Sequence, residues 1–555
     1  MKYPKDIFVK DYFEIHDFYS EIYGKGRTII LMQVGSFHEC YCTNDKGLNL
    51  LKLAAELDVS SPLKNGKKPI SDSNPRMLGF PIYVVHNFID KLCNLNFTVV
   101  LINQVTSPPK PKREVVGIYS PATYIENNKS YSESKSSHLT SIVIDYIKKN
   151  DNINLVVGIS CYDLSTGCGN FLECYSKSND PMLALDETLR FLESYPPREV
   201  ILNYNKKLDN KINNLTYSNY ISYLNLKEDN IFKLSNMKNL KKISYQKELI
   251  ERVFPSNMEI DSIDYLGLSF LNWSRLSLTM LLQYTSDHQK TLLNKLKPPN
   301  QYISNEILSL GNRALDQLDI LPSCNKPISL FNIINNTKSC LGKRFLRDSL
   351  SKPLINCKDI QDRYELIEFI LNNNISKELG DMLSDTYDLE RLNRRLEIGN
   401  IHPFELYHFY YSYRQIIDIV EFIPIDFKLK INLDENKLNK LKEMIEYLES
   451  VFNLDLMINL NFNNYKEEDT CFFNDNIYKE LDILQTDINT SKNFMNLLVE
   501  ELEKLIEDKT YFNKSKSLIN LKYNERDGHY LLMTTRRFKI MNKKLSKIKK
   551  IKIGN

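Results

Sequence analysis

The sequence lacks most of the features that would class it at a glance. It has no C-x-x-C pair, and its ten cysteines in 555 residues come no closer than Cys40-x-Cys42. That spacing fits neither a zinc framework nor a secreted disulfide scaffold, and the cysteines read as reduced, small core residues. No stretch of 18 uncharged apolar residues occurs, and the N-terminal MKYPKDIFVKDYFEIHDFY is charged throughout with no apolar signal core. We therefore expect an intracellular, non-membrane protein. A charge excess is missing too: 73 Lys and Arg against 70 Asp and Glu leave +3. A nucleic-acid partner would have to be met by local patches.

Several catalytic motifs are absent as well. Gly66-Lys67 and Gly342-Lys343 each lack the upstream glycine and the following hydroxyl of a phosphate-cradling G-x-x-x-x-G-K-[ST] loop. His38-Glu39 is followed by Cys-Tyr-Cys rather than x-x-His, and the other seven histidines have no ligand spacing. No serine sits in G-x-S-x-G. One enzyme class stays open. Asp163, at the end of an apolar strand and followed by Glu173 and Asp186, could begin a two-metal nuclease site, although a turn-forming Asp before Leu-Ser-Thr-Gly is the simpler explanation.

What is present suits several cores: 42% apolar, 26% charged and 11% aromatic residues, in a chain long enough for three to four domains at about 150 residues each. The patterning predicts a multi-domain α/β plus α protein. Residues 1–126 mix strand-like runs, TIILMQVGSF and VVLINQV, with helical periodicity in FIDKLCNL, and NNKSYSESKSSH (Asn127 to His138) is a polar boundary. Residues 139–257 read as a second α/β domain: NLVVGISCYDL, the turn STGCG, NFLECY, a stripe of Leu185, Leu189 and Leu192 stopped by Pro196 and Pro197, then EVILN. Residues 258–469 read as helical, with Leu266, Phe270, Trp273, Ser277, Met280 or Leu281, and Tyr284 on one stripe, and Leu438, Leu441, Ile445, Leu448 and Phe452 on another.

Residues 470–555 differ again. Ile477, Leu481, Leu484, Ile488, Ser491, Met495, Leu498, Leu502 and Leu505 alternate steps of four and three, a coiled-coil seam whose helix would run roughly 45 Å and project as an arm. Strand-like runs then flank Asp527-Gly528, a turn pair. Between Arg536 and Lys552 nine of seventeen residues are Lys or Arg with no acid, which suits a solvated terminus and a phosphate-binding surface equally.

One segment carries chemistry. In QVGSFHECY, Gln33 to Tyr41, Gly35 and Ser36 allow a tight reversal after an apolar strand. Phe37 and Glu39, two apart, point to the same side of an extended backbone. An exposed ring beside a carboxylate is a wedge with a polar reporter. In the minor groove such a wedge unstacks a base step for a few kcal/mol, less where pairing is already defective. A carboxylate among phosphates is unfavourable unless a base edge gives it a hydrogen, so it adds specificity rather than affinity. A core Phe is the plain alternative.

The surrounding motifs raise this segment above chance. QVGSFHECY resembles the R-x-G-D-F-Y-E-L-F segment of MutS mismatch-repair proteins, and RMLGFPIYVVHNFIDKL resembles their P-M-A-G-V-P-Y-H-A-x-x-x-Y-L-x-K-L. VVLINQV stands where the family has V-A-I-C-E-Q, and REVVGIYSPATY where it has an R-x-x-x-x-x-x-T-P-G-T strand. GISCYDLSTGCGNF is similar to the connector's L-D-x-S-x-G-x-F. LLQYTSDHQKTLLNKLKPP, TKSCLGKRFLRDSLSKPL and YDLERLNRRLEIGNIHPFEL are similar to successive core-helix motifs, and LKYNERDGHYLLMTTRR resembles the clamp signature K-x-G-Y-N-x-x-x-G-Y-Y-I. These matches follow in the family's order. The Asn- and Lys-rich wording is most similar to the giant-virus and coral-mitochondrial branch.

The resemblance implies a small mismatch-reading domain, an RNase H-like connector, a helical core and lever, and a coiled-coil arm with a small β clamp. It implies that Phe37 stacks on a mispaired base and Glu39 hydrogen-bonds it, with His38 in place of the usual tyrosine and Ser36 in place of the usual aspartate. Lys64, Lys67, Lys68 and Arg76 would meet phosphates, as would Lys522, Arg526, Arg536 and Arg537 in the clamp. The partner would be mismatched double-stranded DNA, and a homodimer is allowed. The family continues into returning helices and an ATPase using ATP and magnesium, which these residues do not contain. A split gene served by an ATPase polypeptide in trans, a chain cut short, and a degenerate remnant all fit, and we expect no enzyme activity from the chain itself. The Leu266 to Tyr284 stripe would then be partly bare. A viral replication site, the cytoplasm and a mitochondrion all suit such a protein.

Overall fold

A computed structural model describes residues 8–106, 111–125, 137–149, 152–212, 214–234, 237–256, 260–303, 308, 314–322, 328–431, 433–458, 460, 471–506, 518–524 and 528–546. It divides into two compact units, residues 1–445 with 457–466, and residues 446–456 with 467–555.

In the first unit, the near-continuous apolar runs of the N-terminal segment become the centre of a five-stranded sheet. Strands β1 (Thr28–Val34), β2 (Phe37–Cys42), β3 (Arg76–Pro81), β4 (Thr98–Gln104) and β5 (Arg113–Tyr119) lie in the order β3-β2-β1-β4-β5. Only β1 and β4 run parallel. Ile29 to Met32 and Val99 to Ile102 are all buried, so both sheet faces are covered there. Helix α1 (Phe8–Tyr23) contributes Tyr12, Phe13, Ile15 and Tyr19 to this core, and α2 (Val85–Asn94) contributes Val85, Ile89 and Leu92.

A second sheet follows, ordered β10-β9-β6-β7-β8-β11. Its spine is a hairpin of β6 (His138–Lys149) and β7 (Asn152–Asp163), joined by β8 (Cys168–Tyr175), β9 (Pro197–Tyr204), β10 (Ile231–Phe232) and β11 (Asn300–Gln301). Helix α3 (Leu183–Ser194) buries the expected Leu185, Leu189 and Leu192.

The stripe expected to be partly bare is buried instead. Helix α4 (Asn272–His288) lies on β6 and β7, with Leu278, Met280, Leu281 and Leu282 inaccessible. Its polar side is buried as well, because Ser and Thr hydroxyls can satisfy themselves on backbone. Ser277 donates to the Ser141 carbonyl (2.7 Å), Thr279 to Arg275 (2.8 Å) and Thr285 to Leu281 (2.9 Å). Gly158 makes the close approach possible, since a Cβ there would lie 2.2 Å from the Trp273 carbonyl carbon. Of the stripe only Phe270, just before the helix, is 90% exposed. Bare apolar surface lies further on: α6 (Cys357–Asn372), which follows α5 (Cys340–Ser351), has no buried residue and exposes Tyr364, Ile367 and Leu371.

Arginines fasten the helical region. Arg344 on α5 pairs with Asp388 (2.5 and 2.7 Å), the residue that caps α7 (Leu389–Ile398). Arg394 on α7 is buried and donates to the carbonyls of Leu164, Asn294 and Leu292. Arg395 pairs with Glu405 (2.8 Å) at the start of α8 (Pro403–Phe422), and Glu405 also receives the His402 amide. Asp388, Arg394, Arg395 and Glu405 are buried, and each has hydrogen-bonded partners, which is the condition under which burial is tolerable.

In the second unit, α9 (Lys479–Ile506) spans roughly 42 Å at 1.5 Å per residue. Its seam is buried only near the C-terminal end, where Leu502 and Ile506 pack with Ile519 and Met541. Ile477, Leu484 and Ile488 are exposed. Strands β12 (Asn520–Asn524) and β13 (Gly528–Leu532) form the hairpin, and the basic tail continues as helix α10 (Thr535–Leu545), capped by Thr534. Asp527 lies outside the described residues; Gly528 has φ +71°, the left-handed conformation expected of that turn.

Where the two sheets of the first unit meet, Glu199 on β9 is fully buried and accepts from the Ser120 hydroxyl (2.6 Å) and the Ala122 amide (3.1 Å) just beyond β5. Burial raises its carboxyl to about 7, against the lowering effects of those donors and of Arg27 and Arg198. A carboxyl raised on folding favours the fold below its unfolded value near 4.3 and loses that advantage as pH rises through about 7. We therefore expect the Tm of the wild type to fall relative to Glu199→Gln between pH 5 and pH 8. Parallel Tm curves for the two proteins would contradict this.

Candidate nucleic-acid interface

The segment singled out in the sequence folds as the β1–β2 hairpin. Gly35 takes φ +60° at the first position of a two-residue turn, which favours glycine, and Ser36 follows it. Phe37 is the first residue of β2, with its ring 43% exposed at the tip. His38, Cys40 and Cys42 turn inward, while Phe37 and Glu39 share the other face, as the two-residue period requires. Gly79 lies beneath both: a Cβ there would meet Glu39 Cγ at 3.4 Å and Phe37 Cδ1 at 3.9 Å. The half-buried Glu39 accepts a hydrogen bond from the Tyr41 hydroxyl on the same face. Burial first, then this contact with Glu39, pushes the Tyr41 hydroxyl well above its ordinary range, so it stays a donor. Tyr41 is held edge-on against Tyr12 at 5.1 Å.

The tip is braced from behind by groups the sequence did not mark. Gln33 receives the Gln104 amide on Oε1 (2.8 Å), and its carbonyl receives Gln104 Nε2 (3.2 Å) and Arg113 Nε (3.0 Å). His38 Nε2 lies 2.8 Å from Asn103 Oδ1. Exposed Ile82 and Tyr83 extend the apolar tip, and the Ile82 amide donates to the Ser36 carbonyl (3.0 Å). An apolar pair directly after G-F-P was the only sequence signal for this extension.

The basic candidates are placed elsewhere in the same sheet. Strand register sets Phe37 opposite Pro81 but Cys42 opposite Arg76, five residues along, or about 17 Å at a strand's rise. Lys64, Lys67 and Lys68 are exposed on the loop joined to that far end, where the Lys64 amide bonds the Pro75 carbonyl. Arg76 donates to the Ser61 carbonyl (2.6 Å) and so closes this loop. In the second unit Lys522 and Arg536 are exposed, whereas Arg537 donates to the Leu518 carbonyl (3.0 Å). Arg526 lies outside the described residues. Arg76 and Arg537 thus each hold local structure.

The acidic residues of the nuclease alternative are not brought together. Asp163 Oδ1 accepts the Ser165 amide and hydroxyl in a turn, and Asp186 accepts the Tyr223 hydroxyl. Glu173, raised by burial, caps α4 by accepting the Trp273 and Ser274 amides at 2.8 Å each. Among the described residues no group of three His, Cys, Asp or Glu side chains could hold a metal ion. Of the two Gly-Lys pairs, Gly66 lies in the lysine loop, and the Gly342 amide is occupied by Ser339 Oγ in a helix cap. Among the described residues no helix is long and apolar enough to cross a membrane.

In the first unit, a sheet with an exposed aromatic hairpin tip, a second mixed sheet and a helical region, and in the second unit a long helix with a hairpin and a basic helix, define a multi-domain α/β plus α protein. Family models agree: MutS domain I matches residues 14–128 and MutS domain III matches residues 313–527. The chain is 30% identical to a DNA mismatch repair protein mutS homolog of Acanthamoeba polyphaga mimivirus, over 97% of this chain and 50% of the relative. It is 26% identical to DNA mismatch repair protein MutS of Clostridioides difficile, over 96% of this chain and 50% of the relative. It is also 26% identical to the Caldanaerobacter subterraneus protein of that name, over 91% and 53%. The chain belongs to the MutS family, and it spans about half the length of the curated relatives it matches.

The two arginines at the start of α10 make a direct contrast. We expect Arg537→Ala to destabilise the second unit by about 1 kcal/mol, the net worth of a hydrogen bond, and Arg536→Ala to leave it within about 0.5 kcal/mol. Urea unfolding followed through the second unit distinguishes them, and equal losses would contradict the assignment of Arg537 to the Leu518 carbonyl.

Proposed function

We propose that this chain reads mismatches in duplex DNA for MutS-type mismatch repair. The observation that carries the reading is the Phe37 ring, exposed beside Glu39 on one face of a braced hairpin. An apolar ring that large is costly to leave in water unless it has a partner, and a weakened base step is a partner that suits a flat ring. Phe37 enters such a step, where unstacking costs least. Glu39, oriented by Tyr41, accepts a hydrogen from the displaced base and penalises complexes that offer none. Lys64, Lys67, Lys68, Lys522 and Arg536 supply backbone contacts that fix position without reading sequence, and Arg76 and Arg537 add to them through donors not spent on carbonyls. ATP-driven steps, a second copy of the chain and an ATPase polypeptide in trans belong to the same proposal, and no residue described above is assigned to them.

Two substitutions test the division of labour between ring and carboxylate. Phe37→Ala is expected to abolish the preference for mismatched over paired duplex in equilibrium binding while leaving weak, salt-sensitive association; retained preference would rule the wedge out. For Glu39→Ala we expect tighter binding to fully paired DNA, by about tenfold if one unfavourable carboxylate contact of roughly 1.4 kcal/mol is removed. Unchanged homoduplex affinity would count against a reporting role for Glu39.

A further inference from the structure

His38 lies between Phe37 and Glu39 in sequence but turns to the opposite, inward face, where its ring is 2% exposed. It is the Cα partner of Gln33 across the hairpin, in the second pair from the turn. Because β1 lies between β2 and β4, the His38 ring reaches across β1 to Asn103 on β4. The next residue on β4, Gln104, holds Gln33 through its amide and side chain. Two consecutive residues of one strand therefore grip both members of the cross-strand pair directly behind the exposed ring. With Asn103 presenting Oδ1, His38 donates through Nε2. Its Nδ1 is buried without a partner, so no second contact shares the task. Burial lowers the imidazole's proton affinity.

Both ends of this bond depart from the motifs that the segments resemble: His38 stands in place of a tyrosine, and Asn103 in place of the glutamate of V-A-I-C-E-Q. A phenol hydroxyl or an imidazole Nε2–H at position 38 can donate to either an amide or a carboxylate oxygen at position 103, so the cross-strand bond needs only a donor at one end and an acceptor at the other.

We infer that His38 is a positioning residue whose hydrogen bond to Asn103, spanning β1, sets the pose of Phe37 and Glu39. The inference rests on the mismatch-reading proposal for its functional consequence, but its structural part can be tested without DNA. His38→Phe keeps a ring and removes the donor, and Asn103→Leu removes the acceptor from the other side. In the full chain, both are expected to raise amide exchange at Ser36 to Glu39 by about five- to tenfold, with global melting little changed. Both should reduce the mismatched-to-paired affinity ratio by a similar factor while homoduplex affinity holds.

Unchanged exchange in both single variants would overturn the inference. Phe37→Ala in the same assays keeps the two claims apart. If it retains discrimination while His38→Phe loosens the hairpin, the wedge fails and the brace stands; if it loses discrimination while His38→Phe leaves exchange unchanged, the brace fails and the wedge stands.

Discussion

A ring of phenylalanine size held in water at the tip of a two-residue turn is the constraint around which the N-terminal sheet is arranged. Such a ring would ordinarily fold back onto the core it adjoins, and here the backbone prevents it. Gly35 sets the reversal, the two-residue period then fixes which face Phe37 must share with Glu39, and Gly79 leaves room beneath both. The polar grip of Gln104 on Gln33 and Asn103 on His38 removes the hairpin's freedom to roll the ring inward. An interaction surface is produced by rigidity behind it, which lowers the ordering cost of binding.

The rest of the first unit acts as a frame for that tip. Glu199 ties the end of β5 to the second sheet, α4 lies on that sheet where Gly158 permits it, and Arg394 fixes α7 to three carbonyls beside it. These are directional contacts between buried polar groups, so they specify one arrangement more sharply than apolar packing alone. The exposed apolar residues of α6, and those along the N-terminal half of α9, mark surfaces that the described residues leave uncovered.

Local features of this structure were legible in the sequence, and long-range ones were not. The strand, turn and strand of QVGSFHECY, the shared side of Phe37 and Glu39, and the buried stripe of α3 all follow from periods of two and 3.6. The fate of Leu266 to Tyr284 did not: the stripe was expected partly bare for want of returning helices, yet the second sheet covers it, and Ser274, Ser277, Thr279 and Thr285 satisfy their hydroxyls on backbone. Nor did the sequence show that Arg76 and Arg537 each spend a donor on a nearby backbone carbonyl. The His38 brace spans 65 residues and had no local signal at all.

The central claim is that the Phe37 ring physically enters a weakened base step. It is tested most directly by placing 2-aminopurine beside a mismatch and, separately, in the same paired sequence, and titrating each with the full chain. Entry of the ring unstacks the probe, so its fluorescence should rise on binding the mismatched duplex and stay quenched on the paired one. Saturable binding to the mismatched duplex with the probe still quenched would contradict the account.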